Sequence, residues 1–128
     1  MIKLENLKLA EMAARLAYEK KGSDIVILDM EENSDICDYF VIVNGTSRVH
    51  NKAIADNIIE SFKKEDRELK KNVQGRNEGG WILLDFGSVI VHIFLDNLRG
   101  YYNLEGLWKN AKVIQPDFEA EHLKEETV

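Results

Sequence analysis

Trp81-Ile82-Leu83-Leu84-Asp85-Phe86-Gly87-Ser88-Val89-Ile90-Val91-His92-Ile93-Phe94-Leu95 is the stretch on which the fold turns. Two runs rich in β-branched and aromatic residues flank Phe86-Gly87-Ser88, the tightest hairpin signal in the chain, and predict strands over 81–86 and 88–95. Alternation puts Trp81, Leu83 and Asp85 on one face and Ile82, Leu84 and Phe86 on the other. For a two-residue loop at either Phe86-Gly87 or Gly87-Ser88, Ile90, His92 and Phe94 join the Trp81 face, while Val89, Val91 and Ile93 join the opposite one. Both faces are therefore largely apolar, unlike a hairpin with one wet side. Either helices cover both sides of a central hairpin, or part of the Trp81 face stays open to a partner, with Asp85 and His92 as its polar rim.

Upstream, residues 4–21 carry Leu9, Met12, Ala13, Leu16 and Ala17 at helical spacing and meet Gly22 as a stop signal. Ile25-Val26-Ile27-Leu28 and Tyr39-Phe40-Val41-Ile42-Val43 are short strand runs without clean alternation, so both are expected to be covered on two faces. Thr46 or Ser47 can cap a helix running to about residue 64, with Ala55, Ile58, Ile59 and Phe62 as its buried stripe. Asn72-Val73-Gln74-Gly75 begins a third strand. Tyr101, Leu104, Leu107 and Trp108 predict a short final helix, and Ala111-Lys112-Val113-Ile114 an edge strand before Pro116. The order αββαβββα predicts an α+β domain with a mixed sheet flanked by helices.

The chain has 128 residues, one cysteine and one proline, is 45% hydrophobic, and carries a formal net charge of -6. At this length one core forms, burying roughly two-thirds of the surface of the unfolded chain without disulfides. Residues 1–116 are read as the domain and 117–128 as an acidic tail. Asp117, Glu119, Glu121, Glu125 and Glu126 against Lys124 give that tail -4, so the other 116 residues carry only -2. Direct specific binding of nucleic acid is not expected from that balance. Neither a signal-peptide pattern nor a membrane-length apolar run is visible, and a lone Cys37 requires no oxidising compartment. A soluble, cytoplasmic protein is the expectation.

Catalytic signals are sparse. His50, His92 and His122 lie far apart and outside any metal-binding motif, so neither a metal nor a cofactor is expected. Cys37 reads as a small core residue. Asn44-Gly45-Thr46-Ser47, between a strand and a helix, has the form of a phosphate-receiving turn but lacks a P-loop lysine and glycine spacing; helix capping accounts for it. A nucleotide-binding enzyme using that turn, with Asp35 or Asp38 on a metal, is the rival class. Aromatic content favours binding instead. Tyr101 and Tyr102 are adjacent, point about 100° apart on a helix, and cannot share one narrow buried stripe.

Several segments together resemble the ribosomal silencing factor family, also called RsfS or Iojap-like. They are Cys37-Asp38-Tyr39-Phe40-Val41-Ile42, Gly45-Thr46-Ser47-Arg48 with Ala53-Ile54-Ala55-Asp56, and Trp81-Ile82-Leu83-Leu84-Asp85-Phe86-Gly87 with Val91-His92-Ile93-Phe94. Arg99-Gly100-Tyr101-Tyr102-Asn103-Leu104-Glu105-Gly106-Leu107-Trp108 completes the set, and the resemblance runs over about 4–114. It implies a nucleotidyltransferase-like fold without enzymatic activity. It also implies binding to the large ribosomal subunit through ribosomal protein fourteen, blocking the small subunit and repressing translation when nutrients are scarce. Organellar relatives act in large-subunit assembly.

After Gly45-Thr46-Ser47 come Arg48, Val49 and His50 where a nucleotidyltransferase needs paired metal-binding carboxylates. Two positions depart from the family pattern: Gln74 stands where glutamate is usual before the glycine, and Gly100 where a larger polar residue is common. The residues expected to bind the ribosomal protein are Trp81, Asp85, His92, Tyr101, Tyr102, Glu105 and Trp108. A homodimer through the apolar hairpin face is the remaining alternative.

Overall fold

A computed structural model describes residues 3–30, 37–67, 69, 71–96, 112–116 and 118. The elements run α1 (Lys3–Glu19), β1 (Ser23–Asp29), β2 (Tyr39–Gly45), α2 (Arg48–Glu65), β3 (Asn72–Gln74), β4 (Trp81–Asp85), β5 (Val89–Leu95) and β6 (Lys112–Ile114). The strands form one six-stranded sheet in the order β3-β4-β5-β2-β1-β6. Among the described residues only the central pair, β2 with β5, is parallel; the other four pairings are antiparallel. This is the predicted mixed α+β architecture. The final helix expected around Tyr101–Trp108 and nearly all of the acidic tail lie outside the described residues.

The hairpin sets the register of one half of the sheet. Gly87 has φ +89 and Ser88 is not left-handed, so the loop is Gly87-Ser88 with a positive φ only at its first position, the pattern of a type II′ turn. Phe86 N–H donates to Val89 O at 2.9 Å to close it. Trp81 then faces Phe94, Leu83 faces His92 and Asp85 faces Ile90, the pairing that alternation predicts.

Helices α1 and α2 pack on one side of the sheet, over Tyr39, Val41, Val43, Ile82, Leu84, Val89, Val91 and Ile93. The innermost stripe of α1 is Ala10, Ala13, Ala14 and Ala17, all fully buried, with Leu9, Met12 and Leu16 beside it. Small side chains let the helix approach the sheet closely. At its end Lys21 takes the left-handed conformation (φ 66), and Gly22 N–H bonds Ala17 O at 2.9 Å in a Schellman motif. Gly22 serves as the stop for a different reason: a Cβ there would stand 2.7 Å from Val43 Cγ1. In α2 the stripe is Ile54, Ala55, Ile58 and Phe62, with Ile59 only partly buried.

The opposite side of the sheet holds a second apolar cluster of Leu28, Met30, Cys37, Phe40, Ile42, Ile90 and Phe94, with Val26, Trp81 and Leu83 at its margin. Among the described residues no helix packs on this side, so the expectation of helices on both faces is met by α1 and α2 on one face only. Nor is the hairpin wholly central. β5 lies inside the sheet and is buried along six of its seven residues, whereas β4 lies one strand from the edge and is buried at every second residue.

Candidate partner-binding face

Strand β4 alternates partly exposed Trp81, Leu83 and Asp85 with buried Ile82 and Leu84. Its outward three residues form a strip about 13 Å long, at roughly 6.6 Å per pair of residues. The Trp81 indole is built into an aromatic group, with ring centroids 5.0 Å from Phe94 and 5.9 Å from His92. Phe40 meets His92 edge-on at 4.9 Å. Asp85, at the other end, accepts the Gly87 N–H at 2.8 Å through Oδ1, so the turn holds its carboxylate in place.

His92 departs from the expected polar rim. It is 5% exposed, on the inner strand of the hairpin and beneath the aromatic group. Trp81 Nε1–H donates to His92 Nδ1 at 3.1 Å, so Nδ1 is unprotonated and the ring's proton sits on Nε2. Burial in apolar surroundings drives the imidazole pKa down to about 4, and the ring is neutral at physiological pH. Nε2 is buried and has no hydrogen-bond partner among the described residues. A histidine on a sheet face can be rim or interior, and alternation alone does not choose between them.

Of the seven residues expected to bind a partner, the structure places Trp81, Asp85 and His92 on one face of one hairpin. Tyr101, Tyr102, Glu105 and Trp108 lie outside the described residues.

The rival site does not assemble among the described residues, and Asp35, one of its two candidate metal carboxylates, lies outside them. Ser47 is the N-cap of α2, its Oγ accepting His50 N–H at 3.0 Å, as capping predicts. Thr46 N–H donates to His50 Nδ1 at 3.0 Å, while His50 Nε2 donates to Lys20 O at 2.6 Å. Two of the amides an incoming phosphate would need are thus engaged within the protein. The Arg48 guanidinium pairs with the Glu78 carboxylate and also donates to Glu78 O at 3.0 Å. Asp38 precedes β2 and Thr46 follows it, so a strand of seven residues, roughly 20 Å or more, separates a metal on Asp38 from a phosphate at Thr46. Asp38 instead accepts a hydrogen bond from Asn6 Nδ2. Among the described residues no group of three or more His, Cys, Asp or Glu side chains converges as metal ligands.

Cys37 is buried as the sequence predicts, and burial, reinforced by Asp38 and Asp85, pushes its thiol up to about 12. That is a core thiol without nucleophilic character at neutral pH. One element escapes sequence reasoning entirely. The segment between β3 and β4 is laced to α2 by Arg48 with Glu78, by Arg76 with Asp56 at 2.6 and 2.9 Å, and by buried Asn51, whose Nδ2 donates to Gly79 O at 2.8 Å. The one available signal was Asn51 itself, a polar residue one turn before Ile54 and Ala55 on the buried stripe.

The fold and face together define an α+β domain built on a six-stranded mixed sheet, two helices on one side and an aromatic strip with an anchored carboxylate on the other. Comparison with known proteins gives that class its family. The model of the family described as "Ribosomal silencing factor during starvation" (RsfS) matches residues 3–128, through the acidic residues that follow Pro116, and the chain belongs to that family. It is 39% identical over 110 residues to a ribosomal silencing factor from Bacillus subtilis, covering 86% of this chain and 92% of that one. It is 30% identical over 102 residues to the mouse protein named mitochondrial assembly of ribosomal large subunit protein 1, covering 77% of this chain and 44% of the relative. A crystal structure of a Chromobacterium violaceum protein superposes with a TM-score of 0.72 at 30% identity, covering 91% of this chain and 92% of the other.

Proposed function

We propose that this chain binds the large ribosomal subunit through ribosomal protein fourteen, occupies the surface the small subunit must approach, and so represses translation under nutrient limitation. The observation that carries the proposal is the β4 strip, where a fixed indole and a fixed carboxylate share one partly open face. Such a strip suits a basic protein surface: the aromatic ring supplies buried area and the carboxylate supplies charge complementarity. Membership of the silencing-factor family supports the same conclusion. Action is steric and needs no chemistry from the chain.

Co-sedimentation with purified large subunits tests the binding. Wild-type protein is expected in the ribosomal pellet at moderate salt, with binding lost in a folded Tyr102→Ala, Glu105→Ala double variant. Asp85→Asn, which keeps the turn acceptor and removes the charge, is expected to weaken binding by under about 1 kcal/mol, as for a rim charge. Absence of wild-type protein from the pellet, or undiminished binding of the double variant, refutes the assignment.

The name of the mouse relative favours a second role, assistance in large-subunit assembly. It predicts association with immature large subunits and no effect on the joining of mature ones. If the hairpin face paired two copies instead, light scattering would show a dimer that ribosomal protein fourteen dissolves.

A further inference from the structure

We infer that His92 is a positioning residue for Trp81: its Nδ1 lone pair holds the indole in one orientation, so that the ring is presented to the partner already ordered. The inference rests on the proposed use of the β4 strip and changes the role of His92 within it from a contact to a support.

Four observations lead there. His92 Nδ1 accepts the Trp81 indole N–H at 3.1 Å, and indole has no other polar atom. The acceptor is rigid, because His92 lies on buried β5 and packs against Phe40 and Phe94 at centroid distances of 4.9 and 6.0 Å. The imidazole is neutral at physiological pH, so Nδ1 keeps the lone pair the bond requires. Finally, Nε2–H is buried without a partner among the described residues. An orphaned donor destabilises a core, and Phe or Leu at this position would avoid it, so the ring's own packing does not explain why a histidine stands there. The bond to Trp81 does.

Two consequences follow for recognition. The indole N–H is occupied, leaving Trp81 to meet a partner through its ring and not through a hydrogen bond. Preordering also removes the cost of immobilising a large side chain at an interface, which corresponds to roughly three- to tenfold in affinity.

The test compares His92→Phe, which keeps an aromatic ring and removes the acceptor, with His92→Asn, whose Oδ1 stands close to the place of Nδ1. The first readout needs no ribosome: the Trp81 indole N–H resonance, assigned through Trp81→Phe, is expected to stay protected from exchange in wild type and His92→Asn and to lose protection in His92→Phe. The second is co-sedimentation with large subunits, where His92→Phe is expected to bind roughly three- to tenfold more weakly and His92→Asn to recover most of the loss. An unchanged indole signal in His92→Phe overturns the inference. So does a released indole with wild-type affinity, or an equal loss of affinity in both variants, which would make ring packing the cause. Wild-type protein that fails to sediment refutes the binding function itself, before any variant is compared.

Discussion

Acid should weaken this fold through one buried ring. His92 titrates near 6.5 in an unfolded chain, whereas burial lowers its folded value to about 4. Between those pH values the unfolded chain takes up a proton that the folded chain refuses, so stability rises with pH across the window and is lost as pH falls from 6.5 towards 4. The span of about 2.5 units, at roughly 1.4 kcal/mol each, amounts to about 3 kcal/mol. Structure gives the same sign, since a proton on Nδ1 would set a donor against the Trp81 indole donor 3.1 Å away.

Carboxylates titrate in the same range, so the measurement must be a difference. Urea unfolding followed by far-UV circular dichroism, at several pH values from 7 to 4, is run on wild type and on His92→Phe, which retains the contacts with Phe40 and Phe94 but cannot titrate. Wild-type stability relative to the variant is expected to fall by about 3 kcal/mol from pH 7 to pH 4, or roughly 10 °C in Tm for a chain of this size. Parallel pH curves for the two proteins would refute the placement of His92 in the interior.

Other expectations concern the rest of the framework. Gly45→Ala places a methyl group against Asn51 Oδ1, and Asn51 cannot yield without losing its bond to Gly79 O; a loss of about 2–3 kcal/mol is expected in urea unfolding, with a value near zero contradicting the close approach. Cys37, held at about 12 against a usual 9, should react with iodoacetamide at pH 8 roughly a thousandfold more slowly in the native than in the unfolded protein, followed by mass spectrometry. Comparable rates in the two states would place the thiol at the surface.

The hairpin was legible because its information is local. Gly87 permits the positive φ, the turn sets the register, and period-two alternation assigns Trp81, Leu83, Asp85, His92 and Phe94 to one face. Capping by Ser47 is equally local and was equally readable. What could not be read is non-local. The parallel pairing of β2 with β5 joins runs separated by α2, β3 and β4, and no residue near either strand specifies it. Alanine is weak in hydrophobicity, so the pattern gave Ala13 and Ala17 together with Leu9, Met12 and Leu16 but missed Ala10 and Ala14, although small size is what fits helix to sheet. His92 shows the limit at the candidate site: its position follows from alternation, but its burial and bond to Trp81 depend on the sheet packed around it.

If occupancy of the large subunit by this chain prevents joining, a sucrose gradient of purified large and small subunits mixed with increasing protein shows it. Joined particles are expected to decline as the chain saturates the large subunit, with the protein migrating in the large-subunit peak and order of addition mattering little. Joined particles that persist while the chain is bound to the large subunit would contradict it.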